Sequence, residues 1–526
     1  MMKAVLTIAV ILAAGGAQAQ DDPAFQSMAQ FQAQIAAGKA SSVSITEAYL
    51  ARIKALDRKG PKLNSIIALN PHALADAKAL DAERKAGHIR GPLHGLPILL
   101  KDNIESADGT ATTAGSLALK ANITNRDAPL VKRLTDAGAV ILGKTNLSEW
   151  ANYRSTRSIS GWSAMGGLVR NPYGLDRSSC GSSAGTGSAI AAGLAAGGVG
   201  TETDGSITCP AAINGLVGLK PTVGLVSRTF VVPISASQDT AGPMTRHVAD
   251  AAAMLTAMAG SDPADPATVE ADQHKVDYLA GLDAKSLKGA RLGILRITAG
   301  RSAQADALFA ETAKALEAAG ATLVEVKIPD LPAISTAEEL ILRTEFKAGV
   351  NAYLASTNPE KVKTRTLADL IAFNATESKE LALFGQEIFI ASQAGPGLDE
   401  PAYLKAKTDA KRLAGPEGID AMIAKDHLDA LIAWSGPTGI VDPVNGTRIY
   451  GPPSGLAAVA GYPHLTVPMG YVSGLPVGLS FMGPAWSEAK LLSLGYAFEQ
   501  MSKARRNPTF PASVAARPEI GPALDP

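Results

Sequence analysis

Apolar residues recur at helical spacing in some stretches of this chain and in short unbroken runs in others. Ile45, Ala48, Tyr49 and Ile53 share one helical face, and Ser44 with Glu47 reads as a capping box opening that helix, which should end near Lys59-Gly60-Pro61. The run 66–69 is a short strand, and 73–85, rich in alanine and alternating charge, is a second helix. Strands are expected at 98–100, 139–142, 291–295, 322–327 and 428–434, and a hairpin pairs 465–469 with 477–482 across 471–476. Helices are expected at 184–196, 245–258, 303–319 and 487–501, with 331–427 mostly helical and 261–289 a polar connection. Strands interleaved with helices throughout give an α/β class.

Two places break this pattern. Residues 180–221 are dominated by small side chains, and Pro210 and Pro221 should stop regular structure there. Ser182, Ser183 and Ser206 sit in glycine-rich text. Such loops can aim several N–H groups at one point, which suits a nucleophilic serine beside oxyanion donors and equally suits an ordinary loop. The second place is Lys101, which ends the apolar run Ile98-Leu99-Leu100. A lysine there either snorkels to water or is buried with a task.

The 526 residues carry 49 basic and 49 acidic side chains, so no electrostatic footprint for nucleic acid or an anionic membrane appears. Lys3, the apolar segment 4–14 and Ala17-Gln18-Ala19 compose a secretory signal peptide over 1–19, cut after Ala19. The mature protein, from residue 20 onward, is expected to be exported to a periplasm, with no membrane span. Cys180 and Cys209 flank the serine loops; an oxidising compartment permits a disulfide, and two buried thiols are the alternative. Their spacing suits no zinc site, and no metal or organic cofactor is expected.

The block Cys180-Gly181-Ser182-Ser183, then Gly200-Thr201-Glu202-Thr203-Asp204-Gly205-Ser206-Ile207, then Gly218-Leu219-Lys220-Pro221-Thr222 resembles the signature of the amidase-signature hydrolases. Gly91-Pro92-Leu93-His94-Gly95-Leu96-Pro97, running on to Lys101-Asp102-Asn103, is similar to the text around that family's catalytic lysine. Matching text spans about 91–260 and 454–500. The resemblance implies one large domain over 20–526, a mixed sheet of about eleven strands wrapped by helices, with 331–427 as the variable substrate side. It implies a Ser–cis-Ser–Lys triad: Ser206 attacks, Ser182 relays protons after a cis peptide bond, and neutral Lys101 is the base. Backbone N–H groups of Thr203, Asp204, Gly205 and Ser206 would form the oxyanion hole. Lowering a lysine by roughly 3 pH units costs about 4 kcal/mol, so Lys101 must be dry or beside another cation. Asn152, Tyr153 and Arg154, in the Gly/Ser-rich stretch 151–179 ahead of the signature block, are candidate pocket-wall residues.

The family's usual GTDTGGS is GTETDGS here, so Glu202 replaces Asp and Asp204 replaces Gly; Thr208 stands where many members carry Arg. A carboxylate at 204 should disfavour negative charge on substrate or product. The variant, with Ser237-Gln238-Asp239-Thr240 after it, is similar to the peptide amidases, which release ammonia from C-terminal peptide amides. The expected partner is therefore a small-molecule or short-peptide amide. Rival readings are a hydrolase of aliphatic, aryl or fatty-acid amides, a component of a tRNA-dependent amidotransferase, and an exported peptide-binding protein on an inactive scaffold. A Ser-His-Asp site using His94, His247 or His464 is the rival mechanism.

Overall fold

The chain was analysed as a computed structural model that describes residues 22–437, 439, 441 and 453–514. The expected leader lies outside the described residues.

Thirteen strands form in chain order: β1 (Ile66–Leu69), β2 (Pro97–Lys101), β3 (Val140–Thr145), β4 (Trp162–Ser163), β5 (Gly167–Leu168), β6 (Gly197–Glu202), β7 (Val217–Lys220), β8 (Thr240–Thr245), β9 (Arg291–Ile294), β10 (Thr322–Glu325), β11 (Ala430–Ser435), β12 (His464–Val472) and β13 (Leu475–Met482). Eleven of them make one mixed sheet in the order β1-β3-β2-β6-β8-β7-β12-β13-β11-β9-β10, and β4 with β5 forms a separate small ribbon. Third from one edge, β2 lies parallel to both β3 and β6. The expected hairpin is β12 antiparallel to β13. The architecture is a single α/β domain, as expected from the signature block.

The helices are α1 (Met28–Ala36), α2 (Ser42–Leu56), α3 (Ala73–Lys85), α4 (Pro129–Asp136), α5 (Ala184–Ala191), α6 (Thr208–Ile213), α7 (Val248–Met258), α8 (Ala271–His274), α9 (Ala303–Ala318), α10 (Leu331–Ser356), α11 (Leu367–Thr376), α12 (Glu387–Ala394), α13 (Pro401–Ala414), α14 (Ala421–Asp426), α15 (Gly455–Ala460) and α16 (Glu488–Ser502). Helices α5, α7 and α16 pack on β6, β8 and β12 respectively. Helices α10 to α14 carry the variable segment, with α10 lying along α13.

Four expectations are corrected. The first helix is capped by Ser41, whose Oγ accepts from Ser44 N while Ser44 Oγ accepts from Ser41 N; Glu47 has no part in it. That helix stops at Leu56 because the buried Asp57 carboxylate turns back to accept from Ser65 N and Oγ. The helix expected over 184–196 ends at Ala191, and 197–202 is a central strand whose glycine content hid it. Residues 240–245 likewise form a strand, so the helix expected from 245 begins at Val248.

Glycine is required here for approach rather than for turning. A Cβ on Gly185 of α5 would lie 2.3 Å from Asn146 O and 2.4 Å from Ser65 O, and one on Gly200 of β6 would lie 2.8 Å from Ser183 Oγ. Small side chains let α5 sit against the sheet and bring the turn before it onto the end of β6.

Candidate active site

Parallel strands bring their carboxyl ends to the same edge, where an α/β sheet leaves room for a site. Leu100 on β2 is level with Val199 on β6, so Lys101 ends one strand beside Thr201 near the end of the other. Lys101 is fully buried. Its Nζ lies 2.7 Å from Ser182 Oγ, 2.8 Å from Thr201 Oγ1 and 3.2 Å from Thr201 O. Asn103 Nδ2 donates to the same threonine hydroxyl at 3.0 Å. A neutral amine has two N–H groups; when both go to Thr201, its lone pair is left for the Ser182 hydroxyl. Burial lowers the Lys101 pKa to about 7, against the opposing pull of Asp239 and Glu202. The sequence suggested a dry lysine, and desolvation is what moves it.

Ser182 follows a cis peptide bond from Gly181, and its carbonyl accepts from Ser148 N. Ser183 N donates to Ser206 O at 3.2 Å, which ties the two serine turns together. Ser183 Oγ also donates to Thr201 O and accepts from Thr201 N. The signature thus becomes two turns clamped across the end of β6, with Ser206 nearly buried at 8% exposure. Cys180 and Cys209 are bonded to each other, with Cα atoms 6.1 Å apart, which closes the alternative of two thiols.

Glu202, where the sequence departs from the family text, has a structural part. Its buried carboxylate accepts from Ile207 N at 2.7 Å and Thr208 N at 2.8 Å, and the Thr208 hydroxyl joins them. These are first-turn donors of α6 that have no intrahelical partner. One carboxylate therefore caps α6 and spans the intervening turn, 203–206. Pro210 lies inside α6, where the missing N–H is harmless so close to the helix start, so the expected stop at this proline does not occur. Gly205 adopts φ +78°, and a Cβ there would meet Ser454 Oγ at 3.0 Å.

A cavity of about 470 Å³ opens beside this turn, lined by Asn103, Thr201 and Thr203 on the site side and by Val231, Val232 and Ile234 beyond them. Helices α10 and α13 supply its far wall, where Glu345 accepts from the hydroxyls of Ser235, Ser237 and Tyr403. Of the stretch expected to form the wall, Ala151 lines this cavity; Asn152, Tyr153 and Arg154 do not. Arg154 is fully buried between Glu149 at 3.3 Å and Glu380 at 3.8 Å, its guanidinium 4.3 Å from the Phe384 ring centroid. A buried cation needs such partners, which makes it a structural tie to the variable segment. Tyr153 stacks edge-on against Phe346 of α10, and Asn152 is half-buried at φ +73°.

The histidines weighed for a rival triad are engaged elsewhere. His94 lies between Leu80 O and Arg90 N, His464 bonds Ser480 Oγ, and His247 faces Glu499. Sequence reasoning missed Thr201, Asn103 and Gln238 as site residues although all three stand in quoted motifs. Gln238 Nε2 donates to Thr203 O at 3.3 Å and to Glu338 Oε1 of α10 at 2.8 Å, and Glu338, in an ordinary-looking helix, gave no signal in the sequence.

The family model for amidases matches residues 44–492. A solved structure of peptide amidase from Stenotrophomonas maltophilia is 55% identical, covers 92% of this chain and 98% of its own, and superposes with a TM-score of 0.87. A probable amidase of Arabidopsis thaliana is 40% identical, over 89% of this chain and 88% of its own. A glutamyl-tRNA(Gln) amidotransferase component of Halorhodospira halophila is 35% identical, over 91% and 97%. With that match across most of its length, and with a buried lysine bonded to the first serine of the signature, the chain belongs to the amidase-signature family and is an amide hydrolase.

Proposed function

We propose that this hydrolase removes ammonia from C-terminal peptide amides through a Ser–Ser–Lys relay. The 2.7 Å contact between Lys101 Nζ and Ser182 Oγ, in surroundings that favour a neutral amine, is the observation that carries the relay. The 55% identity to a peptide amidase supports the substrate class.

In this reading Ser206 Oγ attacks the amide carbonyl, and its proton passes through Ser182 Oγ to Lys101 Nζ. The oxyanion is received by the backbone N–H groups of 203–206, which the Glu202 cap keeps preformed. Lys101 then returns the proton through Ser182 to the leaving nitrogen, so ammonia departs and Ser206 holds an acyl ester. Water, deprotonated along the same path, cleaves that ester and restores the three side chains. The apolar side of the cavity suits the acyl portion of the substrate.

Likeness to an amidotransferase component offers a second substrate class, but the balanced charge gives it no electrostatic support. Export is part of the proposal, supported by the leader-like residues 1–19 and by a disulfide that suits an oxidising compartment. An ammonia-release assay on a dipeptide amide, an aryl amide and a fatty amide tests the substrate class. Turnover of the aryl amide with none of the dipeptide amide would reject it and leave the amidase chemistry standing. The N-terminal residue of secreted material, determined by mass, tests export.

A further inference from the structure

Two walls of the cavity face each other, one from the loop between β7 and β8 and one from α10. Val231, Val232, Pro233 and Ile234 line it from the loop, and Glu345, Ala348 and Gly349 line it from the helix. The three helical residues are spaced i, i+3 and i+4, so they share one face. The buried Glu345 carboxylate accepts from Ser235 Oγ at 2.5 Å and Ser237 N at 2.9 Å, and the Ser237 hydroxyl joins them. Tyr403 Oη of α13 donates to the same carboxylate at 2.6 Å. A Cβ on Gly349 would lie 3.1 Å from Pro233 Cγ, so helix and loop touch there. On its other side the loop is fastened to the nucleophile turn. Asp239 accepts from Ile234 N at 2.8 Å, Ser235 N at 2.9 Å and Thr203 Oγ1 at 2.6 Å. The loop is therefore fixed between two carboxylates, and Ala348, on the helical face opposite it, carries only a methyl group.

The charged groups that line the cavity are already partnered. Arg228 is paired with Asp265 at 2.7 Å and donates to Ala236 O. Lys407 lies 3.6 Å from Glu345 Oε1 and 3.3 Å from Tyr403 Oη. Asp239 and Glu345 hold the loop. What remains for an incoming group is the apolar surface of Val231, Val232, Ile234 and Ala348.

We propose that Ala348 sets how large an apolar side chain the acyl cavity admits, and that Glu345 is the positioning residue that holds the facing wall, so that amides of amino acids with bulky apolar side chains are the preferred substrates. The choice of ligands rests on the peptide-amide reading; the width of the cavity rests only on the amide-hydrolase identity.

The test measures kcat and KM for the N-acetylated amides of glycine, leucine, phenylalanine and glutamate. The wild type should favour the leucine and phenylalanine amides over the other two by about tenfold or more in kcat/KM. Ala348→Leu fills the space, and kcat/KM for the phenylalanine amide should fall about tenfold further than for the glycine amide. If Ala348→Leu does not fold, Ala348→Gly is read in the opposite sense and should shift preference toward the larger amide. Glu345→Ala frees the loop, so KM should rise more for the leucine amide than for the glycine amide with kcat little changed. Glu345→Gln, which keeps an acceptor, should recover most of that rise. Equal losses on all amides in a folded Ala348 variant, or an unmoved ratio, overturn the proposal. A wild-type preference for the glutamate amide that Lys407→Met abolishes also overturns it, since the cavity would then select charge. If no peptide amide is cleaved, the straight-chain amides from acetamide to hexanamide replace the series, so the substrate reading can fail while the width is still measured.

Discussion

Lys101 Nζ lies 2.7 Å from Ser182 Oγ, and both groups are fully buried. Burial holds this lysine near pKa 7, from an ordinary 10.5. If its neutral form is the base, kcat/KM should climb with pH through about 7 and level off above it. Because the folded pKa is lowered, the unfolded chain binds more protons between about 7 and 10.5, so stability should also rise across that window. Lys101→Met should remove the rate profile together with the activity and flatten the stability rise only in part, because the buried Lys144 and Lys220 are lowered by desolvation too; rate profiles and urea melts at several pH values read both.

Removing any of the three side chains of the relay tests their assignment. Lys101→Ala, Ser182→Ala and Ser206→Ala should each lose several powers of ten in activity while folding as the wild type does. A serine-directed fluorophosphonate should label the wild type at Ser206, found by peptide mapping, and leave Ser206→Ala unmodified. His94→Ala should keep labelling. Loss of labelling there, in a folded protein, would point back to a histidine mechanism.

Glu202 satisfies two backbone donors at the start of α6. Glu202→Ala leaves both unpartnered in the interior and should cost about 2–4 kcal/mol by denaturant titration. Activity should fall more steeply than stability explains, because the turn holding Ser206 loses its anchor. Glu202→Gln, which can still accept one bond, should recover part of each.

Gly185 faces two backbone oxygens, Asn146 O and Ser65 O, at distances no Cβ tolerates. Gly185→Ala should therefore destabilise by about 3 kcal/mol or more, since backbone has to move. Alanine in place of the open-sided Gly87, where nothing lies within 4 Å but φ is +85°, should cost about 1 kcal/mol from conformation alone.

Arg154 separates a structural part from a pocket wall. Arg154→Met strands Glu149 and Glu380 in the interior, and a loss of about 3–5 kcal/mol is expected. At temperatures where the variant stays folded, KM should change little. A large KM effect in a stable variant would place Arg154 in the substrate path.

The chain by itself determined the elements whose periodicity is strong. Ala73–Lys85 and Ile66–Leu69 fall where hydrophobic spacing puts them, and the βαβ unit β9-α9-β10 and the hairpin β12-β13 lie within a few residues of expectation. The signature text and the apolar run before Lys101 were equally legible, because local sequence carries them. What only tertiary structure decided is the use of the glycine-rich strand β6 and its neighbour β8 and the partners around each charge. A strand such as GGVGTE has no hydrophobic pattern; it is extended because both neighbours bind its backbone and α5 presses on its face. Arg154, Glu202 and Glu338 look alike as isolated charges in sequence. Folding makes one a buried tie, one a helix cap and one a neighbour of the reacting turn, because a charge taken out of water is defined by what is brought against it.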